Sequence, residues 1–181
     1  KTTQLFPNDF RAYNNLGEMA FAAGDVAKAE SYFKQAAAKN ANAPEVNANL
    51  GLCELVKNNV ASAETYLGKA TGANAANEAL GNLYIKQGQY QRAVNAFGDA
   101  KTNSAAQAQI LAKDYNKAKA TLEAIKDKDA MTDYLMAIVG ARTNNESLVK
   151  SSIKSAIAKD ASLATKAAND REFAKFASAL K

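Results

Sequence analysis

The amino-acid sequence predicts an all-α chain, a solenoid of about five stacked helical hairpins, and three observations predict it. The first is composition. Of 181 residues 41 are alanine and two are proline, and alanine has the best helix propensity and proline the worst. The second is a short period. Tyr13, Leu16, Gly17 and Ala20 share one face at 3.6 residues per turn, Gly24-Asp25 breaks the helix, and Ala29, Phe33 and Ala36 line the facing side of a second helix. The third is a long period, which carries Leu16-Gly17 onto Leu50-Gly51. The same order of large, small and breaker residues returns there and continues through Ala63, Leu67 and Ala70. It returns again at Leu80-Gly81, Tyr84, Gly88, Ala93, Phe97 and Ala100.

Taken in order, Leu5-Phe6-Pro7-Asn8 reads as the end of a second helix and its closing turn, because one long period on from Pro7 stands Ala41, the matching turn. Residues 1–9 are therefore expected to be the tail of a truncated repeat, with Leu5 and Phe6 covering the flank of the next unit. Repeat 1 (10–43) has helix A from about Phe10 to Ala23 and helix B from about Val26 to Lys39, with Asp25 placed to cap the latter. Repeat 2 (44–73) opens on Pro44, whose missing N–H is no loss in a first turn, and Asn58-Asn59 replaces its turn glycine. Repeat 3 (74–102) arrives early, since Leu80-Gly81 follows Leu50-Gly51 by one helical turn less than the full period. Repeat 4 (103–128) is short, its turn Asp114-Tyr115 following Gln89-Tyr90 well before a full period has passed, with helix A from about Ser104 to Lys113. Repeat 5 (129–160) recovers the pattern with Tyr134, Met136, Ala137 and Gly140, then Asn144-Asn145, then Val149, Ile153 and Ala156. Residues 161–181 are expected to be capping helices, the first ending near Asn169-Asp170 and the last placing Phe173, Phe176, Ala177 and Leu180 on one apolar stripe.

Several chemistries lack their residues. The chain has no histidine, which removes the commonest general base and metal ligand, and its single cysteine, Cys53, builds neither a disulfide nor a thiolate zinc site. There is no phosphate-cradling glycine loop, dinucleotide fingerprint or nucleophile elbow, so no enzyme, cofactor or metal is expected. Asp127 and Asp129, between Lys126, Lys128 and a helix junction, read as a solvated, charge-balanced pair. The formal charge of +5 is spread in mixed signs, the more basic last third reads as solvated helix surface, and no motif reads bases, so no nucleic acid is expected. No apolar run approaches the ~20 residues of a membrane span.

The recurring Leu-Gly, Ala and Phe order, at the long period seen between Gly17 and Gly51, resembles the tetratricopeptide repeat. The resemblance implies a right-handed superhelical solenoid whose A helices line a concave groove, and a non-catalytic scaffold that binds a peptide or an extended protein segment there. Carried onto this chain, the groove positions are Arg11, Asn14, Asn15, Glu18 and Phe21 in repeat 1, and Glu45, Asn49, Leu52, Leu55 and Val56 in repeat 2. Glu78, Asn82, Ile85 and Lys86 follow in repeat 3, and Tyr134, Ile138 and Arg142 in repeat 5. Asparagine amides both donate to and accept from a peptide backbone, and Leu52, Leu55, Val56 and Ile85 are more apolar than a solvated face requires. The alternative is that these residues pack against neighbouring helices and that the solenoid is a spacer or assembly domain in a larger protein. Chaperone-tail adaptors of the family use basic residues at positions that hold Asn14, Ala75 and Ala79 here, and Glu18 would repel a carboxylate. The stretch from Ile157 to Phe173 is similar to the ends of such domains in bacterial cell-envelope proteins, which implies a periplasmic or outer-membrane setting. An open N-terminal flank would also give a cut chain a face on which to dimerise.

Overall fold

Helices form where the two periods place them. A computed structural model describes residues 9–70, 72–178 and 180, and these contain helices and turns without a strand. In order the helices are α1 (Phe10–Ala22), α2 (Val26–Lys39), α3 (Pro44–Val56), α4 (Val60–Lys69), α5 (Asn74–Lys86) and α6 (Tyr90–Phe97). They continue as α7 (Asn103–Leu111), α8 (Tyr115–Ala124), α9 (Ala130–Arg142), α10 (Glu146–Lys159) and α11 (Leu163–Asn169), with a final 3-10 helix over Arg171–Phe176. The expected repeat tail Leu5-Phe6-Pro7-Asn8 lies outside the described residues.

Five hairpins share one turn. Gly24, Asn58, Gly88, Lys113 and Asn144 are left-handed, with φ of 82°, 62°, 72°, 65° and 56°. The next residue's N–H then reaches back five positions: Asp25 to Ala20 O (2.9 Å), Asn59 to Glu54 O (2.8 Å), Gln89 to Tyr84 O (2.8 Å), Asp114 to Gln109 O (2.8 Å) and Asn145 to Gly140 O (2.7 Å). This is the Schellman closure, which satisfies carbonyls that a helix end leaves unpaired. The carboxylates of Asp25 and Asp114 and the amide oxygen of Asn145 then cap the helix that follows.

The chain divides into two compact units, one ending at Leu83 and one beginning at Tyr84, a boundary that falls inside α5. In the first unit Gly17 on α1 lies against the ring of Phe33 on α2, so closely that a Cβ there would overlap the ring. One repeat on, a Cβ on Gly51 would stand 2.6 Å from Leu67 Cγ. The small residue of helix A thus makes room for the large residue of helix B. Phe33, Ala29, Ala36, Val46, Leu50 and Cys53 form one cluster, and Ala48, Leu67, Ala70 and Ala76 form the next. Cys53 is fully buried, and burial pushes its thiol up to about 11, as a packed structural thiol requires.

In the second unit Ala106, Ile110, Ala118, Leu122, Leu135 and Val139 form one core, and Tyr134, Val149, Ile153, Leu163, Phe173 and Phe176 belong to another. The closing segment is a 3-10 helix rather than the expected α-helix. At three residues per turn Phe173 and Phe176 share one edge and are buried, while Ala177 is turned out to solvent and does not join their stripe. Leu180 packs against the same core.

Candidate functional site

Three polar side chains join α1 to α3 in the first unit. Asn49 Nδ2 donates to Asn14 Oδ1 (3.0 Å) and to Glu18 Oε1 (3.1 Å), and Asn14 Nδ2 donates to the same Glu18 oxygen (2.8 Å). Asn14, read from the sequence as a groove position, is only 5% exposed, and its amide is engaged in this ledge. Glu18 Oε2 and Asn49 Oδ1 carry no hydrogen bond among the described residues. Beside the ledge is a cavity of about 190 Å³ lined by Glu18, Phe21, Ala22, Phe33, Asn49 and Leu52. Its wall is apolar except for Glu18 and Asn49, and every lining residue except Phe33 is at least partly exposed.

Four residues read from the sequence as groove positions therefore meet at one cavity: Glu18, Phe21, Asn49 and Leu52. Phe33 and Ala22 were not read as part of it. Phe33 carries the signal of a core residue, and Ala22 matters only through its small size at the position where the next repeat has Val56.

The other groove positions of the first unit are used differently. Arg11 is exposed but pairs with Asp9 (2.9 Å), the N-cap of α1, and its hydrogen bonds hold that carboxyl below the usual range. Asn15, Glu45 and Glu78 are exposed, Asn82 is half-buried, and Val56 is 59% exposed. Leu55 is half-buried against the cluster around Leu67 and Ala76. In the second unit Ile85 is half-buried and Lys86 exposed.

Repeat 5 departs from the groove rule. Tyr134 is 2% exposed, donates its hydroxyl to Asp170 (2.6 Å) and meets the Phe173 ring edge-on with centroids 5.5 Å apart. Burial and the Asp170 carboxylate push its phenol far above the ordinary range. Arg142 forms a two-pronged pair with Glu172, and Ile138 packs against both cores of this unit. The closing segment thus engages Tyr134 and Arg142, burying the first and pairing with the second, whose side chain stays 40% exposed. Asp129 is likewise more than a solvated charge. It caps α9 in a reciprocal capping box with Thr132 and also accepts from Asn103 (3.0 Å).

Among the described residues no group of three or more His, Cys, Asp or Glu could hold a metal, and no helix is long and apolar enough to cross a membrane.

Helical hairpins of equal turn geometry, repeated along the chain, define the class: an all-α helical repeat solenoid. Two tetratricopeptide-repeat family models match, over residues 20–84 and 76–105. Over residues 20–105 the chain is therefore a tetratricopeptide-repeat protein, built of the repeats of protein-interaction scaffolds. Solved structures share its fold. A tetratricopeptide-repeat protein from Parabacteroides merdae ATCC 43184 aligns with a TM-score of 0.73 at 17% identity, covering 95% of this chain and 76% of its own. YrrB, described as a repeat protein with an unusual peptide-binding site, gives 0.68 at 16% identity, with 88% and 90% covered. PilW, a type IV pilus biogenesis factor, gives 0.62 at 20% identity, with 99% and 86% covered. No curated protein matches the chain.

Proposed function

We propose that this chain is a non-catalytic interaction module that holds an extended protein segment across α1 and α3 of its first unit, with one apolar side chain of that segment in the cavity. The observation that carries the reading is the cavity itself, an apolar recess of about 190 Å³ lined by Glu18 and Asn49, whose Oε2 and Oδ1 are acceptors without a partner among the described residues. The recess suits one large aliphatic or aromatic side chain, whose burial contributes about 1.5–3 kcal/mol. Backbone N–H groups of the same segment can meet the acceptors. With two hydrogen bonds added, contacts of this size make a weak binder of the millimolar class, and further contacts along the segment are what would bring it toward the micromolar range. YrrB, of the same fold, is described as having a peptide-binding site, which agrees with this use of the fold.

The test is selection of random peptides displayed on phage against the folded chain, followed by affinity measurement on Leu52→Lys and on Ala22→Phe, a substitution that fills the cavity from an exposed position. The selected peptides are expected to share an apolar anchor and to bind either variant at least about tenfold more weakly, a loss of about 1.4 kcal/mol, while thermal melting is unchanged. Equal binding to parent and both variants would remove the site from the cavity.

A further inference from the structure

We infer that the segment taken by this cavity is cationic beside its anchor, with an arginine or lysine next to the large apolar residue. The inference rests on the proposed use of the cavity and adds the chemistry of the ligand. Glu18 is the one charged side chain in the cavity lining. Its Oε1 accepts from both Asn14 and Asn49, and the nearly buried Asn14 fixes the carboxylate before any ligand arrives. The other oxygen has no partner among the described residues. A segment that fills the cavity displaces water from beside this oxygen. Removing water from a carboxylate without replacing its hydrogen bonds is costly, and a guanidinium or ammonium replaces them with charge-assisted ones. An acidic residue at the same place meets like charge as well as lost hydration.

The surrounding charge has the same sign. The A helices of the first unit, α1, α3 and α5 to Leu83, carry Arg11 as their one cation, and Asp9 holds it. Against it stand Glu18, Glu45, Glu54 and Glu78, of which only Glu54 has an ionic partner among the described residues, Lys57. The other described lysines of this unit, Lys28, Lys34, Lys39 and Lys69, are all on the B helices α2 and α4. In a chain of net charge +5 the A helices of this unit thus carry Glu18, Glu45 and Glu78 without an ionic partner among the described residues, and Glu18 stands at the cavity. Such carboxylates steer cationic segments toward them and disfavour acidic ones.

Fluorescence anisotropy with labelled short peptides tests this. A Gly/Ser host carries a Leu or Phe anchor flanked by Arg, Gln or Glu, and a control keeps Arg but has Ala at the anchor. These are titrated against the parent, Glu18→Gln and Leu52→Lys. Glu18→Gln is informative because a glutamine Oε1 still accepts from Asn14 and Asn49, so the ledge remains and only the charge goes. On the parent the Arg-flanked peptide is expected to bind about tenfold more tightly than the Gln-flanked one, with the Glu-flanked one weakest. The preference should disappear in Glu18→Gln and shrink between about 50 and about 500 mM salt. Equal affinity for Arg and Gln flanks, or an Arg preference that persists in Glu18→Gln, overturns the inference. The cavity reading survives that result if Leu52→Lys still loses the anchored peptides. If no anchored peptide binds the parent, or Leu52→Lys binds them all alike, the cavity reading falls and the inference with it.

Discussion

A single methyl group has opposite consequences at two glycines of the first unit. A Cβ on Gly17 would overlap the buried Phe33 ring, whereas one on Gly68, inside α4, meets nothing within 4 Å. Gly17→Ala gains helix propensity but must push Phe33 out of a packed position, a change that costs about 1–3 kcal/mol in a tight core. Gly68→Ala has only the propensity gain, about 0.5–1 kcal/mol. Urea denaturation of the two variants is therefore expected to shift in opposite directions. If Gly17→Ala were as stable as the parent, the α1–α2 contact would not be as tight as the Gly17–Phe33 approach requires. Phe33 is also a wall of the cavity, so displacing its ring links the packing of the hairpin to the shape of the proposed binding site.

At the scale of the helix, stability is concentrated in caps and turns. Asp129 accepts from Thr132 N (2.7 Å), from Thr132 Oγ1 (2.9 Å) and from Asn103 (3.0 Å). These bonds, led by the Thr132 backbone N–H, hold its carboxyl below the ordinary aspartate value of 3.8. A depressed carboxyl contributes stability above its unfolded pKa and loses that contribution as pH falls through the folded value. Asp129→Ala should thus destabilise the protein by about 1 kcal/mol at neutral pH. The difference from the parent should shrink as the pH is lowered from about 4 toward 2, which paired denaturation curves at the two extremes would show. A pH-independent difference would mean that the cap acts by something other than its charge. The turns also show what a sequence makes readable. Gly24, Asn58, Gly88 and Asn144 announce left-handed backbone by residue type, because glycine and asparagine tolerate it. Lys113 adopts the same angles with no such mark, and only the turn residues after it place the bend. Helices and hairpins were legible because both periods are local. The bond from Asn49 to Asn14, 35 residues apart, and that from Tyr134 to Asp170, 36 apart, were not, because spacing puts side chains on a face without saying which will pair across helices. The same limit hid the closing 3-10 helix, since Phe173 and Phe176 at a spacing of three fit either helical period.

At the scale of the whole molecule, a repeat solenoid is held by contacts between sequence neighbours, so a lost end should be felt most by the elements nearest to it. α11 and the 3-10 helix bury Leu163, Ala167, Phe173 and Phe176 against Tyr134, Ile153 and Ala156 of α9 and α10. Phe173 is 1% exposed and supports the Tyr134 ring, while Arg142 and Glu172 tie the segment down from solvent. Phe173→Ala removes a buried aromatic ring and is expected to cost about 3–5 kcal/mol locally. Hydrogen exchange read by mass spectrometry should show protection falling most in α10 and α9, less in α7 and α8, and least in α1 and α2. Removal of residues 161–181 should give the same gradient more steeply and expose an apolar face that invites aggregation. The two perturbations separate a local effect of one ring from the loss of the whole segment. A uniform loss of protection from α1 to α10 in either would show instead that the chain opens as one cooperative block, and that the proposed peptide site in the first unit is coupled to the packing of residues 161–178 on α9 and α10.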